Sequence, residues 1–227
     1  MHKISINKSL ELIKKCSALV FDFDGVLVDS VSIKTSAFEA MYKNFGIHVS
    51  DKVKEHHIAN GGMSRKEKFY HYHKNFLNIT LNKNEIDVLS NIFSDLVTKK
   101  IIESPEIKGS RKFLEKCKFD NKFCFINSAT PFYDLKKITS KRKIDNFFNS
   151  IYGSESSKVE NLKTIFNDFN ISPKQTLFFG DALADLEASF ETKCNFIGIG
   201  NDFRKIINSI ERKEKKVLVI KDFQMLV

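Results

Sequence analysis

Residues 21–30 are Phe21-Asp22-Phe23-Asp24-Gly25-Val26-Leu27-Val28-Asp29-Ser30, and they decide the predicted fold of the chain. The apolar run Ala18–Phe21 ahead of them predicts a strand buried on both faces, and Asp22 follows its carboxyl end. Ligands of open α/β sheets bind at that edge. Because two carboxylates one residue apart repel each other unless a cation neutralises them, Asp22 and Asp24 indicate a divalent metal. Gly25 allows a sharp turn of the backbone directly after them.

Strand patterns and helix patterns alternate over much of the chain. The predicted strands cover residues 18–21, 123–127, 150–152, 176–179, 195–199 and 217–220. The helices predicted beside them cover residues 7–15, 110–118, 131–142, 159–169, 183–190 and 204–211. This alternation predicts an α/β fold of the Rossmann-like type, in which helices cover both faces of a parallel sheet.

One long segment departs from the alternation and contains helix patterns only. Its predicted helices cover residues 32–45, 51–58, 64–76 and 84–102. A block of helices between the first and second strands indicates a separate unit. We therefore predict an α-helical domain at residues 31–104, inserted into a core domain made of residues 1–30 and 105–227.

Two later segments place polar groups at a strand end or a helix start. The strand at 123–127 runs into Asn127-Ser128-Ala129-Thr130, and a hydroxyl beside free backbone N–H groups at a helix start is suited to an anion. An ordinary helix N-cap is the alternative explanation of Ser128. Lys158 precedes a predicted helix, and a solvated loop lysine is its simplest explanation. Lys163 competes with it but lies inside that helix.

A second acidic pair follows the strand at 176–179. The sequence there is Phe178-Phe179-Gly180-Asp181-Ala182-Leu183-Ala184-Asp185, which puts Asp181 and Asp185 one helical turn apart at the sheet edge. Two aspartate pairs at two strand ends strengthen the prediction of a metal site.

These four stretches, in this order, resemble the motifs of the haloacid dehalogenase superfamily, and the helical insertion resembles the C1-type cap of its phosphoglycolate phosphatase and β-phosphoglucomutase-like subfamily. The resemblance implies that Asp22 is the nucleophile and that Asp24 is the general acid and base. It also implies that Ser128 and Lys158 hold the transferring phosphoryl group, with Gly25 and Ala129 beside it. The implied ligands of Mg²⁺ are Asp22, Asp24 and Asp181, with Asp185 acting through water or by orienting the ligands.

The helical segment has one glycine-rich break, Ala59-Asn60-Gly61-Gly62-Met63-Ser64-Arg65-Lys66. It resembles the Gly-x-Ser-Arg stretch of β-phosphoglucomutase-like proteins, which implies that Arg65 binds an acidic group of the substrate. An ordinary interhelix turn with Ser64 as N-cap is the alternative. Nothing in the sequence pairs His56 or His57 with the aspartates, so we predict structural or surface roles for both.

The resemblance implies a Mg²⁺-dependent phosphohydrolase of a small phosphorylated metabolite, phosphosugar or phosphoglycolate-like, that works through an aspartyl phosphate. A sugar phosphomutase is the first alternative, although Lys34 stands where that pattern has a histidine at the start of the cap. A dehalogenase has no need of Asp24. A non-catalytic binding protein is the third alternative, and it predicts loss of motif residues that are all present here.

The composition is compatible with this prediction. The formal net charge is +9, but the basic residues are spread along the chain and are not interleaved with aromatics, so we expect an anionic substrate and no nucleic acid. Four dispersed cysteines predict free thiols in a reducing compartment. No apolar run reaches membrane-spanning length. We expect a cytoplasmic monomer or homodimer without a membrane partner.

Overall fold

Six parallel strands form the central sheet of the computed structural model, which describes residues 2–209 and 217–227. The strands are β1 Ala18–Phe21, β2 Phe123–Asn127, β3 Ser150–Tyr152, β4 Thr176–Gly180, β5 Asn195–Ile199 and β6 Leu218–Ile220. Their order is β3-β2-β1-β4-β5-β6, so β1 lies between β2 and β4. This order is that of the Rossmann fold, with the switch in strand order beside β1, where ligands of such sheets bind. The predicted α/β fold is confirmed.

Helices surround the sheet and also form the insertion between β1 and β2. The α-helices are α1 His2–Lys15, α2 Val31–Tyr42, α3 Ile47–Ala59, α4 Arg65–Tyr72, α5 Lys83–Glu103, α6 Ser110–Phe119, α7 Phe132–Lys141, α8 Lys158–Asp168, α9 Leu183–Thr192 and α10 Asn201–Ser209. Successive strand residues point to opposite faces. Leu19 and Phe21 accordingly pack in one apolar cluster, and Ala18 and Val20 in a second.

The insertion has its own aromatic centre. Phe38 of α2 lies against Phe69, Tyr72 and Phe93, with ring centroids 5.4, 5.7 and 4.3 Å away. All four side chains are almost fully buried, so α2, α4 and α5 pack around them. Residues 31–104 contain no strand, as expected. The domain boundaries proposed from the sequence stay a prediction.

Several element ends differ from the expected ones. The helix expected at 51–58 begins earlier, at Ile47, because Gly46 adopts a φ of +98° and lets the chain turn directly into it. The helix expected at 64–76 ends at Tyr72 and continues as a wider π-helical turn, His73–Leu77. Residues 210 and 211 of the last predicted helix, and the basic run at 212–216, lie outside the described residues.

All four cysteines are free and buried. Among the residues that the structure describes, no helix combines the length and the apolar character needed to cross a membrane.

Candidate active site

Asp22 stands directly after β1, where the central strand ends. Only 6% of its surface is exposed; its Oδ1 accepts a hydrogen bond from the Phe23 N–H (2.7 Å), and its Oδ2 lies 3.1 Å from Lys158 Nζ. Burial raises the pKa of Asp22 to about 6, although the nearby Lys158 ammonium acts in the opposite direction. The carboxylate is thus held rigidly beside a cation at the sheet edge.

Asp181 and Asp185 follow β4, the strand next to β1. Asp185 is fully buried, and its Oδ2 accepts a hydrogen bond from the Ala182 N–H at 3.0 Å. Carboxylate oxygens of Asp22, Asp181 and Asp185 all lie within 4.8 Å of one another. Burial and the Asp22 carboxylate raise the pKa of Asp181 well above its usual value, because three like charges converge here.

Lys158 is the first residue of α8 and reaches both strand ends. Its Nζ contacts Asp185 Oδ1 as well as Asp22. Its backbone carbonyl accepts a hydrogen bond from the buried Asn127 side chain at 2.9 Å, and Ser157 caps the helix. Burial acts to lower the pKa of Lys158, but the two carboxylates outweigh burial and leave it raised. The competing Lys163 is exposed and pairs with Glu191 at 3.7 Å.

The acidic cluster has the donor chemistry of a magnesium site. Three carboxylates face one ammonium, which leaves excess negative charge, and Mg²⁺ prefers carboxylate oxygen ligands. Asp22, Asp181 and Asp185 could therefore hold the ion. Asp24 was also predicted as a ligand, but its carboxylate is not part of this cluster, because it is bonded to another set of side chains.

Asp24 faces the helical insertion. Its carboxylate accepts hydrogen bonds from Ser30 Oγ (2.6 Å) and Thr130 Oγ1 (2.9 Å), and it forms an ion pair with Lys34 of α2. Burial acts to raise the pKa of Asp24, but the Lys34 ammonium outweighs burial and lowers it. No functional role is predicted for Thr130 from the sequence, in which Lys34 stands out as a departure from the mutase pattern.

Gly25 lies against the acidic cluster. Its φ is +78°, and a Cβ at this position would come within 2.0 Å of Asp181 Oδ2. Both the backbone conformation and the contact therefore require glycine here.

Ser128 and Ala129 line the cavity above Asp22. Ser128 Oγ accepts a hydrogen bond from the Thr130 N–H at 3.2 Å. Ser128 is not the N-cap of α7, since Pro131 holds that position and no side chain caps the helix. The first N–H of α7, that of Phe132, is bonded to Glu155 at 3.0 Å. Ser128 thus belongs to the loop after β2 rather than to a helix cap.

The site opens into a cavity of about 380 Å³ between the sheet edge and the insertion. The residues from the sheet side that line it include Asp22, Asp24, Gly25, Ser128, Ala129 and Asp181. Those from the insertion include Lys34, Phe38, His57, Arg65, Lys68 and Phe93. A small molecule fits a space of this size.

Arg65 also lines the cavity, but its guanidinium is occupied by residues of the chain itself. It lies 2.9 Å from Asp134 Oδ2 on α7, and Nη1 donates to the Ser90 carbonyl (3.2 Å) and to Ser94 Oγ. The sequence predicted that Arg65 binds an acidic group of the substrate. The structure does not leave this guanidinium free to do so, because Asp134 supplies the acidic partner.

The glycine-rich break is both a turn and a contact. Ser64 caps α4 through a reciprocal pair of hydrogen bonds with Glu67, as the alternative explanation predicted. A Cβ on Gly62 would meet Ala184 Cβ at 2.4 Å. The turn therefore packs closely on the segment that carries Asp181 and Asp185.

His56 and His57 are not part of the acidic cluster among the described residues. The His56 ring stacks on His71 with centroids 4.0 Å apart, which agrees with a structural role. His57 is buried and lines the cavity, which the sequence did not predict.

The chain is similar to known proteins over most of its length. A sequence model of the family described as haloacid dehalogenase-like hydrolase matches residues 19–199. A phosphoglycolate phosphatase of Psychrobacter arcticus is 24% identical over 205 residues, which cover 83% of this chain and 87% of the relative. One from Photorhabdus laumondii is 22% identical over 195 residues, covering 83% and 82%.

A solved structure has the same fold. It is that of a β-phosphoglucomutase from Clostridium difficile, which is 20% identical, with a TM-score of 0.75 and coverage of 93% of each chain. At this identity the likeness is evidence for the fold and not for the reaction.

Proposed function

The chain belongs to the haloacid dehalogenase-like hydrolases and is a phosphatase of that family, and from this premise we propose that it is a Mg²⁺-dependent phosphohydrolase that uses Asp22 as its nucleophile. The proposed substrate is a small phosphorylated metabolite. One observation carries the proposal: Asp22, Asp181, Asp185 and Lys158 meet at the carboxyl edge of β1 and β4, and Asp22 and Asp181 line a cavity there.

The proposed reaction has two steps on the Asp22 side chain. A carboxylate oxygen of Asp22 attacks phosphorus, the bond from phosphorus to the leaving oxygen breaks, and Asp24 gives that oxygen a proton. Asp24 then takes a proton from water, which attacks the aspartyl phosphate and releases inorganic phosphate. Lys158 and the Ser128 hydroxyl hold the phosphoryl oxygens throughout.

Lys34 affects the protonation of Asp24 in the first step. Its ion pair with Asp24 favours the ionised carboxylate, which is the form needed to activate water. Protonation of the leaving group needs the acid form. Before the first step Asp24 must therefore take up a proton from solvent, and its ion pair with Lys34 must break to allow this.

Asp22, Asp181 and Asp185 would hold the metal. When bound there, Mg²⁺ supplies positive charge that the phosphoryl group and the three carboxylates otherwise lack.

The substrate class is supported by the cavity and by the relatives. The cavity of about 380 Å³ suits a small metabolite, and the two curated relatives are named as phosphatases of phosphoglycolate. We propose a phosphosugar or a phosphoglycolate-like compound as the substrate. A screen of phosphorylated sugars, phosphoglycolate and nucleotides for phosphate release tests this choice.

The nucleophile is tested by Asp22→Asn. This change keeps the shape of the side chain but removes the attacking carboxylate, so turnover should disappear while the fold persists. In crystals grown with beryllofluoride and Mg²⁺, the fluoride adduct should lie on the Asp22 carboxylate of the wild type. An adduct on another side chain, or wild-type turnover by the variant, would overturn the assignment.

A phosphomutase is distinguished by its products. It converts one phosphosugar isomer to another with little net release of phosphate, whereas the proposed enzyme releases phosphate in proportion to substrate consumed. The cytoplasmic location, the absence of a nucleic-acid partner and the monomer or homodimer state stay predictions.

A further inference from the structure

Helix α4 turns one face inward, and this face carries two cations. Its buried residues are Arg65, Lys68, Phe69 and Tyr72, which share one face of a helix. Lysine is almost never fully buried without a partner, because its ammonium loses hydration. Arg65 has Asp134 as its partner. The burial of Lys68 needs another explanation.

Lys68 is only 2% exposed, and the single hydrogen bond of its ammonium within the described part of the chain is to a neutral group. The ammonium lies 2.9 Å from His57 Nδ1 and 5.7 Å from the centre of the Phe38 ring. Within residues 2–209 and 217–227, no carboxylate forms an ion pair with it. An ammonium has three N–H donors, so two of them have no acceptor among the described residues.

His57 orients Lys68 without neutralising it. Burial, reinforced by the Lys68 charge, lowers the pKa of His57 to about 3, so its ring is neutral and Nδ1 accepts the Lys68 hydrogen bond. The centre of the Phe38 ring lies 4.9 Å from that of the His57 ring, so the pair is packed against an apolar side chain that offers no acceptor to Lys68. The remaining N–H groups of Lys68 are left to the cavity, which Lys68 lines.

The same cavity contains the groups of the proposed reaction. Asp22, Asp24 and Ser128 line its sheet side, while Lys68 lies on the side formed by the insertion. A small ligand in this cavity can therefore contact both the nucleophile and an unpaired ammonium.

We propose that Lys68, oriented by His57, binds a second anionic group of the substrate, a carboxylate or a second phosphoryl group. This inference rests on the proposed function and narrows its substrate to phosphomonoesters that carry a further anion. A charge-assisted contact with such an anion supplies the partner that Lys68 lacks in the protein. Burial lowers the pKa of Lys68 to about 7, so binding of the anion above pH 7 should be accompanied by proton uptake.

The test uses three unreactive phosphonates and titration calorimetry with Mg²⁺ present. In 3-phosphonopropionate a carboxylate stands where propylphosphonate has a methyl group, and 1,3-propylenediphosphonate offers a second phosphoryl-like group. Wild-type protein should bind one of the two compounds that carry a second anionic group about 10- to 100-fold more tightly than propylphosphonate. The tighter of the two identifies the second group. Equal affinity for all three would overturn the inference.

Lys68→Met should abolish the preference and leave binding of propylphosphonate within about threefold. Lys66→Met is the matched control, because Lys66 lies on the exposed face of α4 and pairs with Asp87. Lys68→Gln provides a second variant should the methionine variant fold poorly. An equal loss for all three compounds, or an unchanged preference, would overturn the inference.

Two measurements separate this inference from the proposed function. Proton uptake by wild-type protein, measured in buffers of different ionisation enthalpy at pH 8, should accompany binding of the preferred compound with a second anionic group and not that of propylphosphonate. Uptake with all three compounds would count against Lys68. Hydrolysis is scored independently, since failure of Mg²⁺-dependent phosphate release would reject the proposed function whatever the phosphonates show.

Discussion

The Arg65 guanidinium lies 2.9 Å from the Asp134 carboxylate and thereby bonds α4 of the insertion to α7 beside the sheet. Ser94 of α5 donates to the same carboxylate at 2.7 Å, so three helices meet at one ion pair. Arg65 is 5% exposed, and its Cζ lies 4.9 Å from the centre of the Phe93 ring. This arrangement makes Arg65 a link between parts of the fold.

Arg65→Ala and Asp134→Ala should each destabilise the protein, because each leaves the other charge without its main partner. We expect a cost of about 1 to 3 kcal/mol for each variant. The double variant should cost less than the two single costs added, with a coupling of roughly 0.5 to 3 kcal/mol. Urea unfolding of the four proteins measures the cycle.

The same variants test the role that the sequence predicted for Arg65. As a structural link, it should affect kcat/KM for a generic aryl phosphate and for the physiological substrate by similar factors. A loss confined to the substrate with a second acidic group would instead restore Arg65 to substrate binding.

Gly25→Ala should disable the site with little effect on the rest of the fold. The new Cβ would meet Asp181 Oδ2 at 2.0 Å, so this carboxylate must move. A misplacement of about 1 Å can lower the rate on the order of 100-fold, and we expect at least that loss. Gly46→Ala is the control, since Gly46 also has a positive φ but has no atom within 4 Å of the added Cβ. Equal activity losses in the two variants would point to backbone strain alone.

Removal of the metal should abolish phosphate release. Excess chelator is expected to stop turnover, and added Mg²⁺ to restore it, because the three clustered carboxylates otherwise repel a phosphate dianion. Full turnover in chelator would contradict the proposal.

The two carboxylates after β4 should respond differently to substitution. Asp185 is fully buried between Lys158 and the Ala182 N–H, whereas Asp181 faces the cavity. Asp185→Asn should lower the Mg²⁺ affinity about 10- to 100-fold and also lower the melting temperature. Asp181→Asn should lower the affinity further with little change in melting temperature. Calorimetry and thermal unfolding separate the two effects, and the reverse order would mean that their roles are exchanged.

The sheet and the acidic edge could be predicted because local sequence determines both. Apolar runs such as Ala18–Phe21 are buried on both faces, and Asp22 and Asp181 follow directly at the ends of neighbouring strands. Neighbouring parallel strands bring such ends together at one edge of the sheet, irrespective of how the helices pack. The N-cap role of Ser64 could likewise be predicted, since a capping box depends on only four consecutive residues.

The partners of the lysine and arginine side chains that line the cavity could not be predicted, because these partners depend on how the insertion packs on the sheet. Arg65 meets Asp134, and Lys34 meets Thr130, across long stretches of chain. One further signal of a functional residue is present in the sequence. Lys68 stands three residues after Arg65 and one before Phe69 on the inward face of α4, at a position where an apolar residue is expected.

The buried Lys68 also predicts a dependence of stability on pH. Burial, with a further contribution from Lys34, lowers its pKa from 10.5 to about 7 in the folded protein. The charged groups whose fields act on it are Lys34 of α2, Glu67 of α4, Asp24 and Lys158, and His57 of α3 accepts its hydrogen bond. Below pH 7 the folded state must bury the ammonium, which lowers the free energy of unfolding. Between pH 7 and 10.5 the unfolded chain binds more protons than the folded one, so this penalty fades as the pH rises.

Lys68→Met should therefore stabilise the protein at pH 6, by an amount on the order of a few kcal/mol, because it removes the buried charge and keeps the volume. The advantage over wild type should shrink from pH 6 to pH 8 and again to pH 9.5, while Lys66→Met shows no such trend because its side chain is exposed. Urea unfolding at the three pH values measures the differences. An advantage independent of pH would mean that the proton on Lys68 is not coupled to folding. A variant less stable than wild type at pH 6 would mean that the Lys68 contact with His57 outweighs the cost of the buried charge.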